Sequence, residues 1–445
     1  MRSAPSHRPK QYLCIDLKSF YASVECADRG YDPLTTNLVV ADKSRGRTTI
    51  CLAITPAMKK LGVRNRCRLF EIPEGIEYIT ACPRMRRYMR ASADIYSIYL
   101  RHVSPEDVHI YSIDECFIDA TPYLPLYGID IRTFAKQLMD EVLAETGVSA
   151  TAGIGPNLFL AKVALDVTAK HADDGIGELD EVSFKQKIWF HQPLTDIWGI
   201  GPGITRRLAK YGAYDLAGVA ALRPQTLHRE FGANAEYLID HAWGQEPCTI
   251  AEIKRYVPET HSITNGQILP GDYTADEARM VLREMVQASV LELVGTGLVT
   301  DHISLHVGYA RAAGERAGEL VDTGHGLRPA QGRFGPHTGG SRTLERRTNS
   351  AHLLWERFSR LFDETTDRTT RIRRLTIGLG GLLPERHATA TLFDNVAAEE
   401  KERALQEAMV AVRDRFGKNA MLMGTSLHDK ATARERNEQV GGHRA

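Results

Sequence analysis

Residues 109–121, HIYSIDECFIDAT, hold two adjacent acids between two short apolar runs that are typical of β-strands. Asp114 and Glu115 are poor strand residues, and their carboxylates repel each other when both are ionised. Two strands joined at this point would form a hairpin with both acids at its two-residue tip. Such a tip ordinarily favours Asn-Gly, so the acidic pair needs an explanation beyond the turn itself.

A divalent cation would explain the acidic pair, because hard oxygen ligands around Mg²⁺ are what phosphoryl chemistry uses. A third carboxylate, Asp16, lies near the end of the apolar run YLCIDL, where a charge is costly without a partner. If the two segments lie side by side as strands, Asp16 meets the tip. Two metal ions held there could activate a 3′-hydroxyl and steady a leaving pyrophosphate. The alternative is a solvated hairpin tip, with Asp16 engaged in a salt bridge.

Length and composition limit the class of protein. The chain has 445 residues, which is too long for one ordinary core and predicts two to four domains. It is 43% apolar and 25% charged and shows neither a membrane-spanning run nor a signal peptide, so no membrane partner is expected. Its seven cysteines form no CxxC pair, which favours reduced thiols over zinc ligands and predicts a cytoplasmic protein.

Charge is balanced overall but not locally. Lys+Arg and Asp+Glu number 56 each, so net charge gives no indication of a nucleic-acid partner. Residues 43–69, however, hold eight basic side chains and no acid. Three further clusters favour contact with a polyanion, although each could also be solvated surface. They are Arg84, Arg86, Arg87 and Arg90; Arg342, Arg346 and Arg347; and Arg368, Arg371, Arg373 and Arg374.

The order of predicted elements indicates a multidomain α/β (α+β) chain. Strands and helices alternate over roughly the first 180 residues, which predicts an α/β domain, and residues 181–250 then read as helices only. Residues 251–262 are polar, contain Pro258 and are predicted to be a linker. Beyond them, strand-helix-strand occurs twice and predicts a four-stranded sheet with two helices on one face. Residues 310–340 are expected to be mobile, and the last sixty residues to form a helix and a polar tail.

The helical stretch contains a pattern suited to DNA. In LTDIWGIGPGITRRLAKYG, at 194–212, apolar residues flank a turn with Gly199, Gly201 and Gly203, and Arg206 follows closely. This is the helix-hairpin-helix pattern, in which glycines let backbone N–H groups approach a phosphate at a helix N-terminus. The alternative is an ordinary pair of helices separated by a glycine turn.

Four motifs in this order carry a family resemblance: IDLKSFYASVE, YSIDECFIDAT, AGIGPNLFLAKVALD and WGIGPGITRRL. The chain resembles the Y-family (translesion) DNA polymerases, and among them the UmuC-like branch of Gram-positive bacteria. The resemblance runs through nearly the whole length. It implies a palm (1–27 and 83–180), small fingers (28–82), a helix-hairpin-helix thumb (181–250), a βαββαβ little finger (263–384) and a C-terminal tail (385–445).

The resemblance also implies roles for individual residues. Asp16, Asp114 and Glu115 match the catalytic, metal-binding carboxylates, and Leu17 would add its backbone carbonyl to one metal ion. The implied cofactor is Mg²⁺ as two ions, for which Mn²⁺ can substitute.

Further residues match the nucleotide site. Phe20 and Tyr21 match the aromatic pair beneath the incoming sugar, with Tyr21 as a steric gate against a 2′-hydroxyl. Both rings could instead be helix core. Lys162 matches the lysine that holds the triphosphate, a task that suits a point charge.

The chain departs from the family pattern at two places. Many relatives carry Tyr-x-x-Arg over the triphosphate, whereas Pro56 and Lys59 stand here. Lys59 could supply the charge, with Arg64 or Arg66 as further candidates. The stretch TATLFDN lies where similar proteins carry a clamp-binding peptide. It keeps Leu392 and Phe393 but has Thr in place of the leading Gln, so a buried strand end is an equal alternative.

We therefore expect a template-directed DNA polymerase of low fidelity that performs translesion synthesis in the SOS response to DNA damage. Its expected partners are primer-template DNA and a dNTP, with a sliding clamp and a recombinase or accessory subunit as further candidates. Arg342 and Arg346 are assigned to DNA. One alternative is a catalytically silent DNA-binding accessory protein of the same fold. Another is a nucleotide cyclase, which needs no thumb or little finger.

Overall fold

The computed structural model describes residues 9–259, 261–310, 320–322, 327–329, 335–388 and 395–445. The chain divides into two compact units, Met1–Val257 and Pro258–Ala445. In the part of the chain that the structure describes, no helix is long and apolar enough to cross a membrane.

The first unit contains eight strands within its described residues. They are β1 (Tyr12–Leu17), β2 (Leu38–Val40), β3 (Ala53–Ile54), β4 (Ile79–Ala81), β5 (Val108–Ile110), β6 (Glu115–Asp119), β7 (Ala150–Gly155) and β8 (Ile176–Glu178). Five of them form a sheet in the order β5-β6-β1-β7-β8, and β2, β3 and β4 form a smaller one. Strand β1 is central and antiparallel to both of its neighbours. Its apolar side chains are buried on both sides, which explains why YLCIDL is almost continuously apolar.

Helices cover the large sheet and form a separate helical region. The helices before residue 170 are α1 (Phe20–Ala27), α2 (Pro56–Lys60), α3 (Met85–Tyr99), α4 (Tyr123–Tyr127), α5 (Ile131–Thr146) and α6 (Leu158–Val163), the last continued by a π-helical turn at Ala164–Thr168. The following helices are α7 (Glu181–Lys187), α8 (Pro202–Ala209), α9 (Leu216–Ala220), α10 (Pro224–Phe231), α11 (Ala235–Ala242) and α12 (Ile250–Arg255). The predicted change from α/β to all-helical structure is therefore confirmed.

Helix α12 corrects the expected linker at 251–262. Residues 250–255 are helical because Thr249 and Glu252 form a capping box at the N-terminus of α12. Ile250 is buried in a small core with strand residues of the large sheet, including Tyr12 and Phe117. The beginning of the expected linker is therefore packed structure that belongs to the first unit.

The second unit has the predicted strand-helix-strand repeat. Its elements are β9 (Ser262–Tyr273), α13 (Ala275–Thr296), β10 (Leu298–Tyr309), β11 (Leu320–Asp322), β12 (Leu327–Pro329), β13 (His337–Thr348), α14 (Ala351–Thr365), β14 (Ile372–Gly380) and β15 (Leu383–Pro384). The main sheet has the order β13-β10-β14-β9. Helices α13 and α14 pack on one face of this sheet over an apolar core. Most of the stretch 310–340 that was expected to be mobile lies outside the described residues.

The last fifty residues correct the expectation of a polar tail. The predicted helix is present as α15 (Val396–Phe416), but α16 (Ala433–Asn437) and a hairpin of β16 (Gln439–Val440) and β17 (His443–Arg444) follow it. The carboxylate of Glu284 on α13 is buried and accepts hydrogen bonds from the backbone N–H groups of Thr432 (2.9 Å) and Ala433 (3.1 Å). A buried carboxylate needs such donors, so this segment is bonded to the second unit.

Replacing Glu284 by Ala should loosen the C-terminal segment. The change leaves two buried backbone N–H groups without their acceptor, which costs about 1–3 kcal/mol. Urea unfolding and limited proteolysis with identification of the first cleavage sites would measure the effect. Glu292→Ala, at an exposed position of the same helix, is the matched control. Equal protection of the C-terminal segment in the two variants would contradict the assignment.

Candidate active site

Pairing of β1 with β6 brings the three acids together at one end of the large sheet. Asp16 lies directly opposite Glu115 in the strand register, and the backbone N–H of Leu17 donates to the carbonyl of Asp114 at 2.9 Å. The predicted meeting of Asp16 with the acidic pair is therefore seen. Leu17 is the last residue of β1, beside Asp16.

The loop before the acids is wider than the predicted two-residue tip, so that part of the prediction was wrong. Strand β5 ends at Ile110 and β6 begins at Glu115 itself. The carbonyl of Glu115 accepts from the backbone N–H groups of both Tyr111 and Ser112 at 3.0 Å, which closes a four-residue connection. Ser112 Oγ also donates to Asp114 Oδ1 at 2.7 Å. Asp114 is therefore a loop residue with an oriented carboxylate, and Glu115 is a strand residue.

The electrostatics of Asp16 reflect this crowding. Burial, and then the charges of Asp114 and Glu115, raise the pKa of Asp16 to about 7. The charge of Lys162 opposes the rise but does not cancel it. Three carboxylates at one sheet end therefore favour a proton or a cation among them.

Glu115 is held by its own set of partners. Its Oε1 lies 2.9 Å from Lys162 Nζ and accepts a hydrogen bond from Cys14 Sγ at 3.1 Å. Lys162 is buried and also contacts Asp166 at 2.9 Å. Burial alone would lower the pKa of Lys162, but the surrounding Asp166, Cys14 and Glu115 raise it, so the ammonium stays charged. Lys162 therefore lies next to the carboxylates, and its contact with a triphosphate stays a prediction.

Close packing of α6 against the sheet sets the position of Lys162. A Cβ atom at Gly153 would lie 2.0 Å from the carbonyl oxygen of Ala161, and one at Gly155 would lie 2.5 Å from the backbone nitrogen of the same residue. At Gly177 it would lie 2.4 Å from the carbonyl oxygen of Ala164. Only glycine permits this approach of a helix to two strands.

The carboxylate oxygens of the three acids are ligands that suit a divalent ion, but they are not arranged as a complete metal site. Among the described residues, no group of three His, Cys, Asp or Glu side chains is close enough to hold a metal ion. Asp16 and Asp114 nevertheless offer hard oxygen ligands. Burial first, and then the charges of Asp114 and Glu115, raise the pKa of Asp16, and a cation would counter this rise. The contacts of Glu115 with Lys162 and Cys14 are both made by its Oε1.

The aromatic pair divides into a core ring and a half-buried ring. Phe20 is 2% exposed and belongs to the core, as one sequence interpretation allowed. The ring of Tyr21 stacks on Tyr88 with centroids 4.5 Å apart and planes 17° apart. Burial and the charge of Asp114 raise the pKa of Tyr21, whereas Arg66 opposes the rise. Asp114 and Arg66 are therefore both within electrostatic reach of the Tyr21 hydroxyl.

Sequence reasoning missed the network beneath Tyr21. Glu25 is fully buried, accepts from Tyr88 Oη at 2.7 Å and pairs with Arg84 at 2.9 Å and with Arg29. Burial opposes ionisation, but the bonds from Arg84, Tyr88 and Arg29 lower the pKa of Glu25. The available signal was an acid inside the apolar helix FYASVECA, four residues after Tyr21.

The same network corrects the reading of one basic cluster. Arg84 and Arg87 contact Asp28 at 2.6 and 2.7 Å, so these two arginines hold the fold together. The side chain of Lys59 is exposed. Partial desolvation of its ammonium by the surrounding protein lowers the pKa of Lys59, and the negative charge of Asp16 partly opposes this decrease. Lys59 therefore lies within electrostatic reach of Asp16, and its contact with a nucleotide stays a prediction.

The predicted hairpin turn is open to solvent. Gly199 has φ of 81°, which favours glycine, and Gly201 precedes helix α8 with φ of −89°. A Cβ atom at Gly201 or Gly203 would meet nothing within 4 Å. Arg206 is exposed, so the turn presents backbone N–H groups and a cation on one surface.

The two little-finger arginines differ in their surroundings. Arg342 is half exposed and contacts Glu364 at 2.9 Å, whereas Arg346 is 14% exposed and pairs with Glu399 of α15. A DNA contact stays a prediction for both and would require Arg346 to leave Glu399. Leu392 and Phe393 of the predicted clamp peptide lie outside the described residues.

Known proteins resemble this chain over nearly all of its length. The impB/mucB/samB family matches residues 15–166, and the C-terminal domain of that family matches residues 260–392. The candidate UV-damage repair protein UvrX of Bacillus subtilis (strain 168) is 30% identical over 98% of each chain. DNA polymerase IV 2 of the same organism is 30% identical over 98% of this chain and 99% of its own.

A solved structure shares the fold. A Y-family DNA polymerase chimera of Dbh and Dpo4 segments covers 84% of this chain and 99% of its own, with a TM-score of 0.57 and 17% identity. The palm-like sheet, the helical region and the second α/β unit therefore form an architecture that is already known.

Asp16→Asn should stabilise the metal-free protein at about pH 8 by about 2–4 kcal/mol and have little effect near pH 4. The folded protein raises the pKa of Asp16 from 3.8 to about 7, so the ionised carboxyl is disfavoured in the folded state. The free energy of unfolding of the wild type therefore falls as pH rises from 3.8 to about 7, and that of the variant does not. Urea unfolding in a chelator would measure both, with exposed Asp94→Asn as control. An advantage that is independent of pH would refute this.

Proposed function

Because the chain belongs to the impB/mucB/samB family of Y-family DNA polymerases, we propose that it extends primers past damaged bases by nucleotidyl transfer at Asp16, Asp114 and Glu115. The observation that carries this proposal is the strand register that sets Asp16 opposite Glu115, with Leu17 bonded to Asp114. A DNA-directed DNA polymerase of this family acts on primer-template DNA and dNTPs and depends on divalent metal. The proposed step joins the primer 3′-oxygen to the α-phosphate and releases pyrophosphate.

In this mechanism Asp16, Asp114, Glu115 and the carbonyl of Leu17 would hold two Mg²⁺ ions, with Mn²⁺ able to substitute. Bound there, the ions would supply activation of the 3′-hydroxyl and neutralisation of the charge on pyrophosphate. The protein itself contributes mainly position and charge, so no side chain is required as a strong base.

Lys162 takes a second part in the proposal. We expect the triphosphate to compete with Glu115 and Asp166 for its ammonium. Lys59 and Arg66 replace the missing Tyr-x-x-Arg pair as cations over the triphosphate. Their electrostatic reach to Asp16 and Tyr21 supports this role.

We propose that Tyr21 selects deoxyribonucleotides over ribonucleotides. Its ring is backed by Tyr88 and cannot retreat without breaking that stack, so it can exclude a 2′-hydroxyl. The turn at Gly199–Gly203 and Arg206 grip the duplex, and Arg342 and Arg346 contact DNA from the second unit. A sliding clamp at Leu392 and Phe393 and an accessory subunit are further proposed partners.

Primer extension by the purified protein with Mg²⁺, on undamaged and abasic templates, tests the proposal directly. Extension on both templates supports a translesion polymerase. DNA binding without extension would instead identify a silent accessory protein of the same fold. Conversion of NTP alone to a cyclic product would identify a nucleotide cyclase.

Asp114→Ala should reduce primer extension by about three orders of magnitude while leaving the DNA affinity measured in a chelator, without metal, unchanged. The substitution removes a proposed ligand from a loop, and Asp114 has no role in the helix-hairpin-helix turn. Single-turnover extension and fluorescence anisotropy with labelled primer-template would measure the two properties. Exposed Asp94→Ala serves as the control. Extension at the wild-type rate would remove Asp114 from the proposed ligands.

Tyr21→Ala should raise incorporation of ribonucleotides relative to deoxyribonucleotides by about tenfold to a hundredfold. The reason is that the space of the ring opens to a 2′-hydroxyl. Tyr21→Phe keeps the ring and should keep the preference, so it is the matched control. An unchanged preference in the alanine variant would mean that Tyr21 only packs on Tyr88.

Gly201→Val should weaken primer-template binding about tenfold and reduce its dependence on salt. The side chain fits the free protein, so the fold should lose no more than about 1 kcal/mol, while the branched group keeps phosphate from the turn. Anisotropy titrations at several salt concentrations would measure the binding. Gly424→Val, also with open space at its Cβ, is the control. Wild-type affinity in Gly201→Val would argue against a phosphate contact there.

A further inference from the structure

One direct contact joins the acidic loop to the helix-hairpin-helix turn. Trp198 Nε1 donates a hydrogen bond to Tyr111 Oη at 3.0 Å, and the two rings meet edge to face with centroids 5.9 Å apart. Trp198 directly precedes Gly199 of the turn, and Tyr111 opens the four-residue loop that carries Asp114. The sequence separation of these two residues hides the contact from any local motif.

Each ring is fixed on its own side. The ring of Tyr111 meets Phe117 of β6 edge to face at 5.8 Å, and its backbone N–H is bonded to the carbonyl of Glu115. Trp198 lies 6.1 Å from Phe117 and stacks at 6.0 Å on His241 of α11. A shift of the turn that keeps this contact would therefore also move the loop.

We propose that Tyr111 and Trp198 are positioning residues that couple DNA binding at the turn to assembly of the carboxylate site. This inference rests on the proposed function. Phosphate contact at Gly199–Gly203 fixes Trp198, Trp198 fixes Tyr111, and the loop then holds Asp114 beside Asp16. Neither residue touches substrate, and their effect is on the geometry of the ligands.

Coupling of this kind is reciprocal: if DNA tightens metal binding, metal tightens DNA binding by the same factor. One hydrogen bond and one aromatic contact limit the factor to about threefold to tenfold. Tyr111 is 46% exposed, so loss of its hydroxyl leaves no buried polar group and little stability is at stake. Coupling can therefore be removed without unfolding the protein.

The test measures Mn²⁺ affinity by electron paramagnetic resonance, with and without saturating primer-template that ends in a dideoxynucleotide, and with DNA alone as blank. In the wild type, DNA should tighten Mn²⁺ binding. In Tyr111→Phe and Trp198→Phe, affinity without DNA should match the wild type, while the tightening by DNA falls about threefold to tenfold. Tyr127→Phe, which loses a different hydroxyl bond on the same unit, should keep the wild-type response.

Kinetics give a second readout. At saturating DNA and dNTP, Tyr111→Phe should lower kcat by about the same factor with dNTP KM nearly unchanged. Combining it with Gly201→Val should give less than the product of the single effects, because both act on one connection. Equal tightening of Mn²⁺ by DNA in wild type and Tyr111→Phe would overturn the coupling. If the wild type binds Mn²⁺ and DNA but extends no primer, the proposed function fails while the Mn²⁺ comparison still decides the coupling.

Discussion

The structure of the first unit depends on one costly pairing: strand β1 places Asp16 directly opposite Glu115 of β6. The surrounding sheet is apolar, so placing two ionised carboxylates beside it costs desolvation free energy that packing does not recover. Lys162 relieves part of the repulsion from the neighbouring helix, and a proton on Asp16 relieves another part. The free protein thus tolerates a crowded arrangement of carboxylates that the proposed metal ions would relieve further.

The sequence could predict features that depend on residues close together in the chain, such as helix caps and apolar patterns. It could also predict features that depend on one type of side chain, such as a pair of acids. The capping box of Thr274 and Glu277 is a local sequence pattern of this kind, and it begins α13. The alternation of apolar strands and helices predicted the α/β class, and an unexplained acidic pair predicted that Asp16 would meet Asp114 and Glu115. The register that sets Asp16 opposite Glu115 could not be predicted in this way, because β1 is almost continuously apolar and is buried on both sides.

The features that sequence missed are pairings across long separations. Arg84 and Asp28 are 56 residues apart in the sequence, and Arg346 and Glu399 are 53 apart. Because these acidic partners are distant in the sequence, the arginine clusters were interpreted only as surfaces that could bind a polyanion. The shape of the loop before Glu115 depended on two backbone bonds to one carbonyl, which composition does not reveal. Glu284 drew the C-terminal segment into the second unit in the same way, through backbone groups that any sequence possesses.

The close contact of α6 with β7 and β8 has a consequence for how this gene can vary. Gly153, Gly155 and Gly177 perform no chemistry, yet each leaves room that the lysine-bearing helix occupies. In a saturation mutagenesis survey these three codons should tolerate as little change as the codons of the carboxylates. A map of tolerated substitutions would therefore show strong constraint at three glycines, whose side chain is a single hydrogen atom, as well as at the carboxylates.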